Sequence, residues 1–234
     1  VNEAMCAMTG QTRAALGSTD WLLHVTHPED IDDDDVFAQL VAGTLKSDER
    51  QKRVLRADGS VRWILRSLSA LRDAGGAASS VFCQVVDITE QKQHEEELKA
   101  QVHDVAWIAR IRDALDRDRF VLYSQPIVDL RTGDTVQQEL LLRMRNEDES
   151  LIAPDDFLPV AERHGLISGI DRWVIGQAVG LAAKGQPTQF NLSSASIGDP
   201  DILRELASAI KRTEADPSLL VVEVTETAIM TQLD

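Results

Sequence analysis

Apolar and polar positions follow two different rhythms along this chain, and the rhythm changes near Phe120. Strand-like runs at residues 51–55 and 61–65 flank Asp58-Gly59, and runs at residues 67–72 and 81–86 flank Gly75-Gly76. Asp-Gly and Gly-Gly supply the positive φ of tight hairpin turns, so this stretch predicts an antiparallel meander. Short helices precede it. Residues 1–13 place Ala and Met at helical spacing, and an acidic run at residues 32–35 opens a helix with Val36, Phe37, Leu40 and Val41 as its apolar face. Acids at a helix start meet the positive end of its dipole, so the run reads as a solvated helix start rather than a metal site. Asp87 with Glu90 has the form of a capping box, and the helix it opens carries Leu98, Val102, Val105, Ile108 and Leu115 near helical spacing on one face. After Phe120, strands at residues 120–123, 135–144, 188–192 and 219–225 alternate with helices at residues 155–164, 170–183 and 201–213. That alternation predicts α/β units around a largely parallel sheet.

Charge narrows the partners. The 234 residues carry a formal net charge of −15, and so acidic a surface repels phosphate backbones and argues against long nucleic acid as a partner. A small phosphorylated ligand held by one local cation or a metal ion stays allowed. Cys6 and Cys83 have no metal-knuckle or redox spacing and fit a reduced cytoplasmic chain. No apolar run is long enough to cross a bilayer, and the first residues lack the form of a signal peptide.

Strand parity supplies the chemical clue. Residues two apart in a strand share a face, so Glu139, Leu141 and Arg143 point one way while Leu140 and Leu142 point the other. Asn191 sits between Phe190 and Leu192, and Glu223 shares its face with Val221 and Thr225. Three strands thus each carry one oxygen donor near the end of an apolar run, a set that suits Mg²⁺ or Mn²⁺. The plainer alternative pairs Glu139 with Arg143 and has Asn191 cap a turn.

The segment Tyr123-Ser124-Gln125-Pro126-Ile127-Val128-Asp129-Leu130, followed by Gln138-Glu139-Leu140-Leu141-Leu142-Arg143, resembles the opening of an EAL domain. Ile152-Ala153-Pro154, Phe157-Leu158-Pro159-Val160-Ala161-Glu162 and Gly165-Leu166-Ile167 are similar to the family's second block. Phe190-Asn191-Leu192-Ser193 and Glu223-Val224-Thr225-Glu226-Thr227 resemble the third and fourth. The resemblance implies a modified TIM barrel that hydrolyses cyclic-di-GMP to linear pGpG with two Mg²⁺ or Mn²⁺ ions. By the same resemblance the metal ligands are Glu139, Asn191 and Glu223, and the substrate contacts are Gln125 and Arg143. Glu226 is then the loop-anchoring carboxylate, grouped with Glu139 and Glu223 as catalytic. One departure stands out: the family's Glu-Ala-Leu signature reads Glu139-Leu140-Leu141 here, which by parity bears on packing rather than catalysis. The family's later residues, an Asp-Asp pair, a Lys, a Glu and a Gln, are expected on strands after Asp234. A (β/α)₈ barrel takes about 250 residues, so the span from Arg119 predicts half a barrel, inactive alone.

Asn2-Glu3-Ala4, Met8-Thr9-Gly10, His27-Pro28-Glu29-Asp30, the run Arg56 through Trp63, and Asp87-Ile88-Thr89-Glu90 resemble the later three quarters of a PAS domain, its first strands expected upstream of Val1. Its ligand is unknown from sequence. His24 and His27 are conceivable haem ligands, but the His-Pro-x-Asp element fits a loop feature of the fold, and residues 18–23 lack the cysteine that flavin photochemistry needs.

The expected fold is an α+β PAS fold at residues 1–90, a connector helix at 91–117, and part of an α/β TIM-like EAL barrel at 118–234. The expected function is sensor-regulated hydrolysis of cyclic-di-GMP by the parent protein, acting as a homodimer. The competing functions are a degenerate cyclic-di-GMP receptor and a PAS-mediated dimerising adaptor.

Overall fold

A computed structural model describes residues 1–17, 25–31 and 36–224. The chain divides into two compact units, Val1–Ala100 and Gln101–Asp234.

In the first unit, helices α1 (Glu3–Thr9), α2 (Arg13–Leu16) and α3 (Val36–Ala42) precede an antiparallel sheet of β1 (Ser47–Leu55), β2 (Val61–Arg72) and β3 (Ala78–Asp87), ordered β1-β2-β3. The meander forms as its turn chemistry dictates. Asp58 Oδ1 accepts from the Ser60 amide (2.9 Å) and Gly59 has φ +81, while Asp73 Oδ1 accepts from the Gly75 (2.9 Å) and Ala77 (3.0 Å) amides. The runs expected at 61–65 and 67–72 are one continuous strand, because every residue of 61–69 finds a partner on β1. Val54, Ile64 and Leu16 form one buried cluster with Val25, and Leu68 forms another with Val36 and Leu40. Helix α3 therefore buries Val36 and Leu40 and leaves Phe37 and Val41 exposed, a narrower face than the sequence suggests. The acidic residues before it, 32–35, lie outside the described residues.

The loop before α3 is tied to β1. Asp30 Oδ1 accepts from Arg53 Nη2 (2.6 Å) and its Oδ2 from the Arg53 amide (2.6 Å), and the Arg53 guanidinium holds this carboxyl below its ordinary pKa. His27 Nδ1 accepts from the Glu29 amide (3.3 Å) at the head of a 3-10 turn, Pro28–Asp30. His27 thus serves as a loop feature, and His24 lies outside the described residues. On the same sheet Asp48, 7% exposed, accepts from Arg66 Nη2 (2.8 Å) and Arg50 Nε (2.8 Å).

Helix α4 (Thr89–Asp116) contains the boundary between the units. It begins later than the expected capping box: Asp87 closes β3, and its Oδ1 accepts from the Thr89 amide (2.9 Å) rather than engaging Glu90. Its apolar residues form two stripes instead of one. Leu98, Val102 and Val105 are exposed, whereas Trp107, Ile111 and Ala114 are buried in the second unit. The two triplets differ by nine residues, which is two and a half helical turns, so they occupy opposite faces.

The second unit holds a five-stranded sheet. Strands β4 (Phe120–Val128), β5 (Thr135–Arg145), β7 (Thr188–Leu192) and β8 (Leu220–Val224) run in that order, with the two-residue β6 (Leu151–Ile152) pairing beside β5. β4 is antiparallel to β5, and β5, β7 and β8 are mutually parallel. Helices α5 (Pro154–Arg163), α6 (Ile167–Ala182), α7 (Ser194–Ile197) and α8 (Pro200–Thr213) complete it. The core is built from Phe120, Leu140, Met144, Phe190 and Leu192 of the sheet against Phe157, Ile170, Val174 and Ile175 of α5 and α6. Among the described residues no helix is long and apolar enough to cross a membrane.

Candidate functional site on the open face of the second sheet

The register of β4, β5, β7 and β8 decides which side chains meet. Gln125 stands opposite Glu139, Glu139 is aligned with Gln189, and Asn191 is aligned with Glu223. Register partners and residues two apart share a face, so Gln125, Glu139, Arg143, Asn191 and Glu223 all lie on one side of the sheet. The other side carries Leu140, Met144, Phe190 and Leu192 into the helical layer. Leu140 is 5% exposed there, so the departure from the family signature is a matter of packing.

The site residues differ in where their strands place them. Asn191 is the penultimate residue of β7, and Glu223 is its register partner on β8. Glu139 is mid-strand rather than near an end, because β5 runs on to Arg145 through its antiparallel partners β4 and β6. It sits one same-face step before the level of Asn191, a diagonal of about 7–8 Å between neighbouring strands. Side chains as long as glutamate can close that span onto a shared ion.

Partners distinguish a ligand set from a structural one. Among the described residues, the side chains of Glu139, Asn191 and Glu223 have neither a hydrogen-bond nor an ion-pair partner. Arg143 does not pair with Glu139: its Nη1 donates to the Leu142 carbonyl at 2.6 Å. Asn191 does not cap the following turn either, since Ser193 Oγ accepts from the Ser196 amide (3.2 Å) in that role. Two carboxylates and one amide carbonyl, unpaired and on one face, fit a hard cation that takes oxygen ligands. Among the described residues no three His, Cys, Asp or Glu side chains cluster closely enough to form a cage unaided. Gln125 and Asn191 are exposed, and Glu139 and Arg143 are half-buried. Glu226 lies outside the described residues.

One polar residue in the helical layer, bonded to the turn after β7, escapes a reading of sequence alone. Asp171 on α6 is 4% exposed, and its Oδ2 accepts from both the Ser193 amide (3.2 Å) and Ser193 Oγ (2.5 Å). Its signal is an acid inside an apolar helical stripe, with Ile167 four residues before and Ile175 four after, both buried.

Comparison with known proteins agrees with this architecture. The EAL domain profile matches residues 108–234, and a PAS fold profile matches residues 1–85. The cyclic di-GMP phosphodiesterase PdeF of Escherichia coli K12 is 36% identical over 135 residues, covering 55% of this chain and 18% of that protein. The FimX EAL domain from Pseudomonas aeruginosa, solved bound to c-di-GMP, aligns with a TM-score of 0.51 and 35% identity over 54% of this chain and 53% of that one. The MucR phosphodiesterase in its c-di-GMP complex aligns with a TM-score of 0.50 and 32% identity over 53% of each chain. The chain thus spans less than a fifth of the curated relative's length and about half of each solved chain. These neighbours are EAL domains of TIM-like fold, and the open sheet of the second unit corresponds to part of such a barrel.

Proposed function

The chain belongs to the EAL domain family, here following a PAS fold, and on that premise we propose that the complete protein hydrolyses cyclic-di-GMP to linear pGpG under sensor control. One observation carries the reading: Glu139, Asn191 and Glu223 lie on one face of neighbouring parallel strands with no protein partner for their oxygens among the described residues. Unpaired oxygens held together on a rigid sheet are what a divalent ion requires, and they serve no evident packing purpose.

Glu139, Asn191 and Glu223 would hold the Mg²⁺ or Mn²⁺. When bound, such ions activate an attacking water and neutralise charge on the phosphate oxygens. The chain's own contribution is orientation. Gln125, directly across from Glu139, offers an amide donor and acceptor at the ligand's edge. Arg143, one same-face step past Leu141, brings a guanidinium for a phosphate oxygen through charge-assisted hydrogen bonds. Water attacks phosphorus, one ribose oxygen leaves as a hydroxyl, and the ring opens to the linear dinucleotide. Glu226 is assigned, by family position alone, to anchoring the loop after β8.

The residue ranges follow: a PAS unit at 1–90, a connector at 91–117, and barrel strands and helices at 118–234. Among the described residues the second unit's sheet is open and its Glu139 face meets solvent, which supports the reading that the segment by itself is inactive. The exposed stripe Leu98, Val102 and Val105 supports pairing with a second copy along α4. The test is metal-dependent hydrolysis of cyclic-di-GMP by the complete protein, with product resolved as pGpG. Unchanged turnover after Glu139→Ala would refute the metal assignment, and binding without turnover would recast the protein as a receptor.

A further inference from the structure

Asp171 poses an energetic problem that packing does not solve. A carboxyl group buried on an apolar helical stripe costs about 1–3 kcal/mol for each hydrogen bond it leaves unmade. Among the described residues its partners are all on Ser193: the amide at 3.2 Å and Oγ at 2.5 Å, with no cation in contact. Packing alone does not call for a carboxyl group here, since the same stripe is filled by the buried Ile167 and Ile175. What the carboxylate does hold is position. Ser193 follows Asn191 by two residues and is the N-cap of α7, and between them Leu192 is 4% exposed in the core. The end of β7 is therefore pinned from both sides: by the Asn191–Glu223 register on the sheet and by Asp171 beneath the turn.

We infer that Asp171 is a positioning residue, fixing the turn after β7 so that Asn191 presents its carbonyl to the metal ion at a set place beside Glu223. The inference rests on the metal reading of Asn191 given above. Partners that orient metal ligands typically contribute about 10- to 100-fold in metal affinity, and this one would act through the backbone rather than by touching the ligand itself.

The experiment is an equilibrium Mn²⁺ titration of the complete protein, without substrate, for wild type, Asp171→Asn, Ser193→Gly, Asn191→Ala and the Asp171→Asn/Asn191→Ala double variant, each with a thermal midpoint. Expected is a loss of about 10-fold or more in Mn²⁺ affinity for Asp171→Asn, a loss in the same direction for Ser193→Gly, and no further loss when Asp171→Asn is added to Asn191→Ala. A lowered thermal midpoint with Mn²⁺ affinity unchanged would overturn the inference, and so would losses that multiply in the double variant. If Asp171→Asn does not fold, Ser193→Gly decides: it removes the hydroxyl that donates to Asp171, and glycine is tolerated at the N-cap of α7 where alanine is not, so loss of the cap does not account for the result. Unchanged affinity in Asn191→Ala is a separate failure, of the metal reading rather than of the link between Asp171 and the turn.

Discussion

Asn191 and Glu223 are direct register partners on the parallel strands β7 and β8. Neighbouring parallel strands keep such partners on one face at a fixed spacing, so an amide carbonyl and a carboxylate are presented side by side, and among the described residues neither has a protein partner. Replacing Glu223 with Gln, or Glu139 with Gln, keeps shape and removes charge. In the complete protein each change is expected to lower metal-dependent hydrolysis of cyclic-di-GMP by on the order of 100-fold or more. Neither side chain is buried, so the unfolding free energy should move by no more than about 0.5 kcal/mol. A urea titration beside the activity assay checks both, and equal losses in the two would mean the residues act through folding.

Leu140 gives the opposite expectation. It adjoins Glu139 in sequence but points into the core, 5% exposed. Leu140→Ala restores the family's Glu-Ala-Leu spelling while removing buried apolar volume. It should destabilise the second unit by about 2–5 kcal/mol, read as a lower urea midpoint at unchanged slope. Turnover of the fraction that remains folded should be near that of wild type. A stability gain would mean that Leu140 is overpacked here.

Much of this arrangement is legible in residues, and the part that is not has physical reasons. Glu139 and Leu140 separate by parity alone, since a strand of period two forces neighbours to opposite faces. The two hairpins announce themselves through Asp58-Gly59 and Gly75-Gly76. Helix α4 defeats the same reasoning because Leu98, Val102 and Val105 repeat as regularly as Trp107, Ile111 and Ala114, and only packing shows which triplet is covered. Strand β6 has two residues and helix α7 four, too few for any period to show. The bond between Asp171 and Ser193 joins residues 22 apart, so the apolar stripe around the acid signals its burial but not its partner.

The tie between Asp30 and Arg53 predicts a pH dependence in the first unit. Arg53 lowers the Asp30 carboxyl below its ordinary pKa of 3.8 in the folded state. A carboxyl depressed on folding contributes stability that is fully present above its unfolded pKa and is lost as pH falls through the folded one. Asp30→Asn should therefore cost on the order of 1–2 kcal/mol near neutral pH, as loss of charge-assisted hydrogen bonds. The gap between variant and wild type should stay constant down to about pH 4 and then close. Comparing the two proteins at each pH cancels the other carboxylates. A gap that widened in acid would mean the pair is not formed.

The two faces of α4 lead to the last prediction. Leu98, Val102 and Val105 are 61%, 63% and 67% exposed and repeat at intervals of four and three residues, the spacing of a coiled-coil seam. Covering such a stripe with its own copy along a two-fold axis would bury apolar surface that the protomer leaves in water, at about 25 cal/mol per Å². Val102→Glu places one charge per copy at the middle of that seam, where the two would face each other without a counter-ion. Because the side chain is exposed in the protomer, the thermal midpoint of the monomer should move little. Sedimentation equilibrium should find a dimer for wild type and at least about a 10-fold weaker association for Val102→Glu, since a buried unpaired charge costs more than one such factor. A wild type that stays monomeric would remove the seam, and a dimer indifferent to Val102→Glu would place the contact on another surface.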